Sequence, residues 1–349
     1  MRILYLGPNS FTSKQRSDAL VRLGHDVVAV DPARYVSKNP VFRKINWEVG
    51  GFLSQASVAR GVLSEIGDAR FDVTWVDSGR YVGPALVHAL RRRGGPVLNY
   101  NVDDPFGKRD RLSWLLYLHT VPAYDLVAVV REENVAEANA RGAKKVVRVY
   151  RSADEVAHAP HSLSDEDHTR WDSDVCFVGT WFPERGPFMA ALVRLGVPLT
   201  IFGNGWQKAP EWPAIQPAWR GPGTKSDDEY AKAIQCAKIC LGLLSKGNRD
   251  LHTTRSLEVP LLGGLLCAER TPEHLYLYDE GTEAIFWGDA AECAHVCREL
   301  LVDAPRRLEI AHRGRDRCIA NGTLNERMMS RLLAEVLPER PAGVGTNLA

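Results

Sequence analysis

Residues 174–203, DVCFVGTWFPERGPFMAALVRLGVPLTIFG, decide how this chain is read. DVCFVG is a short β-branched and aromatic run closed by Gly179, and it predicts a strand. PFMAALVRLG predicts a helix that stops at Gly196, a residue at ease in a left-handed C-cap. VPLTIFG predicts the next strand. Strand, helix and strand in this order make a βαβ unit, whose two strands lie parallel in one sheet.

The same alternation continues in both directions. Downstream, a Trp-, Pro- and Gly-rich loop spans 203–223. SDDEYAKAIQCAKI then predicts a helix with Ser226 as N-cap and Glu229 in the capping-box position. ICLGLLS reads as a strand, Thr253 to Leu262 as a helix ending at Gly263-Gly264, LLCAE and AIFWG as strands with the helix TPEHLYLY between them, and the rest as helical to about residue 337. Upstream, RILYLG, HDVVAVD, FDVTWVD, PVLNYN, YDLVAVV and KKVVRVY read as strands separated by helical patterns, with 34–50 irregular and 52–66 helical. The polar stretch 151–173 has no period and divides the two series. The expected organisation is α/β: two Rossmann-like domains facing a central cleft. The boundaries are 1–155, a linker at 156–173, a second domain at 174–322, a helix at 323–338 packing back on the first domain, and a flexible tail at 339–349. Ligands of open α/β sheets bind at the carboxyl ends of the strands.

Composition narrows the function. The chain has 349 residues, about two domains' worth, with 44 Lys+Arg against 43 Asp+Glu. A net charge of +1 excludes the broad basic surface of a nucleic-acid binder and leaves room for a local anion site. No apolar run approaches a bilayer span, and MRILYLGPNS lacks the apolar core and cleavage site of a signal peptide, so a cytoplasmic protein is expected. The seven cysteines show no two-residue spacing of a zinc or redox motif. Cys236/Cys240 and Cys293/Cys297 are each expected to share a helix face as buried small hydrophobes. His158, His161 and His168 stand beside Asp165, Glu166 and Asp167, and Asp-x-Asp triplets occur at 165/167 and 172/174, but no ligand spacing repeats. No metal site is expected.

Three stretches carry chemistry. In Asp250-Leu-His-Thr-Thr-Arg-Ser-Leu-Glu258-Val-Pro-Leu-Leu-Gly-Gly264, a helix starting near Thr253 would offer first-turn N–H groups to an anion. Arg255 would add a bidentate phosphate donor, and Glu258 two acceptors for ribose hydroxyls. The plainer alternative is an amphipathic helix whose Arg and Glu pair with each other. In Val178-Gly179-Thr180-Trp181-Phe182-Pro183-Glu184-Arg185, Gly179 would let a ligand approach the backbone, and Arg185 could reach a phosphate. Phe202-Gly203-Asn204-Gly205 could leave a slot for a planar base, or be a tight turn. Trp206, Trp212 and Trp219 could stack on a base or plug the loop. In the first half, Asn101-Val-Asp103-Asp104-Pro105 ends a strand, so Asp103 and Asp104 are candidate bases, with turn capping as the alternative. Asn9 and Ser10 follow the first strand and could line an acceptor site.

In this order the three stretches resemble the C-terminal domain of group 1 glycosyltransferases of the GT-B architecture, with the nearest likeness to the spore-maturation CgeB-like branch. That branch has a strand followed by V-G-x-x-x-x-x-R, then G-x-G/W, then T-x-R-x-F-E-x-x-x-x-G-G. Here the block is Thr253-Thr254-Arg255-Ser256-Leu257-Glu258 and Gly263-Gly264, with Leu257 for Phe. The likeness covers about 170–335, includes ELLVDAPRRLEIAHRGRDRC, and is looser in the first half. It implies transfer of a sugar from a nucleotide diphosphate sugar to an acceptor hydroxyl without a metal or other cofactor. It implies that Glu258 holds the donor ribose, that Arg185, Gly179 and Thr180 hold the diphosphate with Thr254 and Arg255, and that Gly203 and Asn204 lie near the base. Asp250 stands where the wider superfamily has Glu, and His252 could replace it as a sugar contact. The acceptor, whether saccharide, small molecule or protein, is open. A nucleotide-sugar epimerase of the same fold and a catalytically degenerate nucleotide-binding protein are the alternative readings.

Overall fold

The computed structural model describes residues 1–337, so the expected tail at 339–349 lies outside the described residues. The described chain divides into two compact units, Met1–Val149 with residues 326–337, and Tyr150–Asn325.

The first unit is built on a parallel sheet of six strands, in the order β2-β1-β3-β4-β5-β6. These are β1 (Arg2–Leu6), β2 (Asp26–Val30), β3 (Val73–Asp77), β4 (Val97–Asn101), β5 (Leu126–Val129) and β6 (Val146–Arg148). Central strands of a parallel sheet are covered on both faces, and β3 and β4 are buried at every position. Their side chains alternate between two cores. One holds Leu4, Leu6 and Val76. The other holds Ile3, Tyr5, Trp75, Leu98 and Tyr100, and is closed by Met328, Met329, Leu332 and Leu333 of the helix Asn325–Val336.

A buried ion pair pins the loop after β1. Arg16 Nε and Nη2 donate to Asp77 Oδ2 and Oδ1 at 2.6 and 3.0 Å, and the Tyr5 hydroxyl donates to Asp77 at 2.7 Å. Gly7 leaves the space for this cluster, since a Cβ there would lie 2.7 Å from Ser13 Oγ and 2.8 Å from the Asp77 Cβ.

The second unit carries β7 (Ser173–Val178), β8 (Leu199–Phe202), β9 (Trp219–Gly221), β10 (Ala237–Gly242), β11 (Leu266–Glu269) and β12 (Ile285–Trp287). Their order is β12-β11-β10-β7-β8-β9, and they are parallel throughout. The chain runs outward from β7 through β9, then returns to start again at β10 on the other side of β7. Strand order therefore reverses between β7 and β10, and a crevice for a ligand opens at the carboxyl ends of those two strands.

Several elements differ from expectation. β9 lies inside the stretch expected to be a loop; it is a three-residue edge strand with a register irregularity at Ile201/Phe202, too short to show a period. Pro40–Glu48 is a helix, not irregular chain. Asn39 Oδ1 accepts from the Val41 and Phe42 N–H groups, and Pro40 fills the first turn. The expected linker contains the helix Asp165–Trp171, begun by a Ser164/Asp167 capping box. Its polar composition hides two anchors, Trp171 and His158, both buried, and the whole stretch from Tyr150 joins the second unit. Cys236 and Cys240 do not share a helix face, because Cys236 ends the helix Asp227–Gln235 and Cys240 is in β10. Cys293 and Cys297 do share the helix Ala290–Val302. All seven thiols are buried and free.

Candidate functional site

The carboxyl end of β7 is shaped by glycines. After Val178 the chain turns at Gly179, whose N–H bonds to the Phe202 carbonyl at 2.8 Å. A Cβ on Gly203 would sit 1.8 Å from the Gly179 oxygen, so only glycine allows the turns after β7 and β8 to pack this closely. Trp206 Nε1 donates to the Gly179 carbonyl and Trp219 Nε1 to the Gly203 carbonyl, both at 2.9 Å. Trp206 is fully buried, and Trp212 packs edge-on against Trp219. These tryptophans are a plug beneath the turns. Asn204 is exposed at the surface of the loop.

Arg185 begins the helix Arg185–Arg194 and is buried. Its Nη1 donates to the Thr180 carbonyl at 2.7 Å, and its Nη2 to the Leu243 and Leu244 carbonyls at 3.1 and 3.4 Å. Thr180 follows β7, and Leu243 follows β10. Arg185 thus ties the two lips of the switch point together with donors that were expected to face a diphosphate. Its charge stays at the crevice, while these hydrogen bonds serve the scaffold.

Arg255 is placed differently. Its Nε donates to the Val178 carbonyl at 2.6 Å, its guanidinium lies over the Phe177 ring, and its Nη2 is 3.3 Å from where a Gly179 Cβ would be. Gly179 leaves room for the Arg255 fork, whose Nη groups have no partner among the described residues. The helix carrying it is shorter than expected, running Arg255–Leu261 with Thr254 as a cap that makes no side-chain bond. The Ser256, Leu257 and Glu258 N–H groups bond to the Thr253 and Thr254 carbonyls. Those of Thr254 and Arg255 remain unbonded among the described residues, as does the buried Thr253 hydroxyl.

Glu258 does not pair with Arg255. It is buried, its Oε2 accepts from the Tyr230 hydroxyl at 2.8 Å, and its Oε1 is 3.7 Å from His158 Nε2. His158 Nδ1 accepts from the Asp154 N–H at 2.9 Å, so its ring proton sits on Nε2, toward Glu258. Burial, then the Glu258 charge, pushes the Tyr230 phenol well above its ordinary pKa and keeps it a donor. Sequence reasoning missed both orienting groups. Tyr230 is one turn beyond Ser226 in an expected helix, and His158 was grouped with His161 and His168. The three histidines do not converge: His161 meets Asp228 and His168 meets Asp172.

Asp250 and His252 are committed within the protein. Asp250 accepts from Arg151 Nη2 at 3.1 Å. His252 Nε2 accepts from the Arg151 N–H at 2.9 Å, and its Nδ1 is bonded to Glu273. Both ring nitrogens are used, which removes the ground for His252 as a hydrogen-bonding sugar contact. A further histidine, His274, braces the start of the helix. Its Nδ1 donates to the Glu269 carbonyl at 2.6 Å, its Nε2 accepts from Ser256 Oγ at 2.7 Å, and Ser256 Oγ accepts from the Thr253 N–H at 3.0 Å. Burial pushes its pKa down to about 4.

The Asp-x-Asp carboxylates lie at the amino-terminal end of β7. Asp167 closes the Ser164 capping box, Asp172 pairs with His168, and Asp174 pairs with Lys238. In the first unit, Asp104 is buried and its Oδ1 accepts from the Gly107 N–H and Asn134 Nδ2, each at 3.0 Å. That is a turn-capping carboxylate. Asp103 is half-buried beside it, and Asn9 and Ser10 are exposed after β1.

Residues 185–334 match the family model described as glycosyl transferase-like. No curated protein sequence matches the chain. Among solved structures, the chain is similar to sucrose-phosphate synthase from Thermosynechococcus elongatus (TM-score 0.68, 11% identity, covering 96% of this chain and 98% of that one). It is similar to Anabaena HepE in complex with UDP and glucose (TM-score 0.67, 13% identity, 96% and 98%). It is also similar to a Listeria monocytogenes protein described as a UDP-N-acetylglucosamine 2-epimerase (TM-score 0.61, 11% identity, 96% and 95%). The fold is the two-Rossmann GT-B architecture.

Proposed function

We propose that this chain is a glycosyltransferase of the hexosyl-transferring type. It takes a nucleotide diphosphate sugar in the Tyr150–Asn325 unit and passes the sugar to an acceptor hydroxyl. The family-model match and the bound UDP and glucose of Anabaena HepE support a nucleotide-sugar donor. The observation that carries the reading is the pairing of a buried, oriented carboxylate with a guanidinium whose Nη groups have no partner among the described residues, both on one helix at the β7/β10 switch point. Glu258 offers acceptors to two ribose hydroxyls. Arg255 offers its Nη groups to the diphosphate, with the Thr254 and Arg255 N–H groups beside it. Gly179 lets the diphosphate approach the backbone, and Gly203 and Asn204 border the base.

In this reading, negative charge grows on the diphosphate as the sugar–oxygen bond breaks, and the fixed Arg255 fork and the Arg185 charge meet it. These cations supply the positive charge that a divalent ion would otherwise bring, so the proposed reaction needs no metal. Asp103 is the preferred base for the acceptor proton, since the Asp104 carboxylate is held in its turn; Asn9 and Ser10 belong to the acceptor side. The CgeB-like branch assignment and a cytoplasmic site of action, where seven free thiols stay reduced, belong to the same proposal.

Titration calorimetry in EDTA against nucleoside diphosphates tests the reading: one base should bind saturably, and Glu258→Gln should weaken it. Failure of every nucleoside diphosphate to bind would overturn it. The Listeria likeness keeps an epimerase as the second reading, distinguished by isomerised sugar nucleotide forming without release of diphosphate.

A further inference from the structure

Three of the seven thiols meet inside the second unit, in a place the transfer reaction does not use. Cys267 is in β11, between Leu241 of β10 and Ile285 of β12. Cys293 and Cys297 stand one turn apart on the helix Ala290–Val302. The three Sγ atoms all lie within 4.8 Å of one another, and all three residues are fully buried. These thiols differ from the others in what they reach. Cys236, Cys240 and Cys318 donate to the Asp167, Ile234 and Leu257 carbonyls at 3.9, 3.5 and 3.4 Å. Cys267 is hydrogen-bonded to Cys293 and Cys297 instead, and these bonds, then burial, hold its thiol well above the ordinary pKa. A buried thiol that ends on a carbonyl is packing; three thiols that end on one another are a donor set.

The donor set selects its occupant. Sulfur ligands without oxygen disfavour hard cations such as magnesium and calcium. Among the described residues no histidine, carboxylate or fourth cysteine joins the group, and burial keeps water away, so tetrahedral zinc lacks a ligand. Charge decides the rest. The surroundings are apolar, with Leu243, Ala294 and Leu300 in the same core, and net charge in such a place is costly. Three thiolates around a monovalent ion leave two negative charges, and around a divalent ion one. Around a trivalent centre they leave none.

We propose that Cys267, Cys293 and Cys297 form a closed three-sulfur site for a trivalent thiophilic metalloid such as arsenic(III). When arsenous acid binds, three As–O bonds break and three As–S bonds form. Each thiol proton leaves with a hydroxide as water, and no atom changes oxidation state. The occupied site ties β11 to the helix Ala290–Val302. Entry requires local opening of that helix, whose outer residues His295, Arg298 and Glu299 are exposed, so loading is slow. The proposal stands without the donor-site reading.

Native mass spectrometry of the full chain, reduced with a phosphine and incubated with sodium arsenite, tests it. The mass should rise by one arsenic less three hydrogens, and X-ray absorption at the arsenic edge should show three sulfurs and no oxygen. Arsenite should raise the melting temperature, since it binds the folded arrangement. Cys293→Ala and Cys297→Ala should each bind at least tenfold more weakly, while Cys240→Ala, which removes a thiol of the other core, should bind like wild type. The wild-type mass and absorption spectrum decide the matter even where a variant fails to fold. The proposal is overturned by a chain that takes up no arsenic, by arsenic held through two sulfurs, by unchanged binding in folded Cys293→Ala or Cys297→Ala, or by a disulfide forming in place of the adduct.

Discussion

Replacing Glu258 separates its proposed role in binding from its role in packing. In Glu258→Ala the buried Tyr230 hydroxyl loses the oxygen it reaches at 2.8 Å. An orphaned buried donor costs about 2 kcal/mol, and at roughly 2–4 °C per kcal/mol for a unit of this size the melting temperature should fall about 4–8 °C. Affinity for the nucleoside diphosphate should fall too, since hydrogen bonds to a charged group contribute about 1.5–3 kcal/mol each, or roughly 10- to 150-fold. Glu258→Gln resolves the two effects. Its amide oxygen still accepts from Tyr230, while its amide nitrogen faces His158 Nε2 across the 3.7 Å gap, so its melting temperature should fall less than that of Glu258→Ala. It has lost the charge and one of the two acceptors, so binding should still weaken by roughly tenfold or more. Calorimetry and thermal melts on both variants give the four numbers needed. Wild-type affinity in Glu258→Gln would refute the ribose role. A large loss of stability in that variant would refute the hydrogen-bond assignment.

Three other outcomes follow from the same geometry. Arg255→Ala should weaken a nucleoside diphosphate by roughly tenfold or more while leaving the nucleoside nearly unaffected; equal losses in calorimetry would contradict a phosphate contact. Gly203→Ala would force a Cβ to 1.8 Å from the Gly179 oxygen, and chemical denaturation should show a loss of about 3 kcal/mol. Buried His274 has a pKa lowered to about 4, so between that value and the unfolded value near 6.5 the unfolded chain binds the extra proton. Stability should therefore decline as pH falls through this window, by roughly 3 kcal/mol for this group, and denaturation of His274→Gln should show a flatter pH dependence there than wild type.

The parallel alternation was legible because each strand is a short apolar run and each crossover helix has its own stop. Glycines marked the site for the same reason: Gly179 and Gly203 are turns where a Cβ cannot fit, and their type announces it. Side-chain destination was harder to see. Arg185 and Arg255 look alike in the sequence, yet the Nη groups of one are turned to backbone carbonyls and those of the other have no partner among the described residues. Glu258 and Arg255 are three apart on one helix and do not meet. His158 reads as part of a solvated polar stretch, and only folding brings it to Glu258, a hundred residues later. Contacts of that separation leave no local period.

The central claim, that the Tyr150–Asn325 unit splits a nucleotide diphosphate sugar, is met most directly by mass spectrometry. The full chain is incubated in EDTA with a panel of sugar nucleotides, water standing in for the acceptor. The account requires one donor to yield nucleoside diphosphate and free sugar, with the yield falling in Arg255→Ala. Appearance of an isomeric sugar nucleotide without diphosphate release, or an unchanged panel throughout, would contradict it.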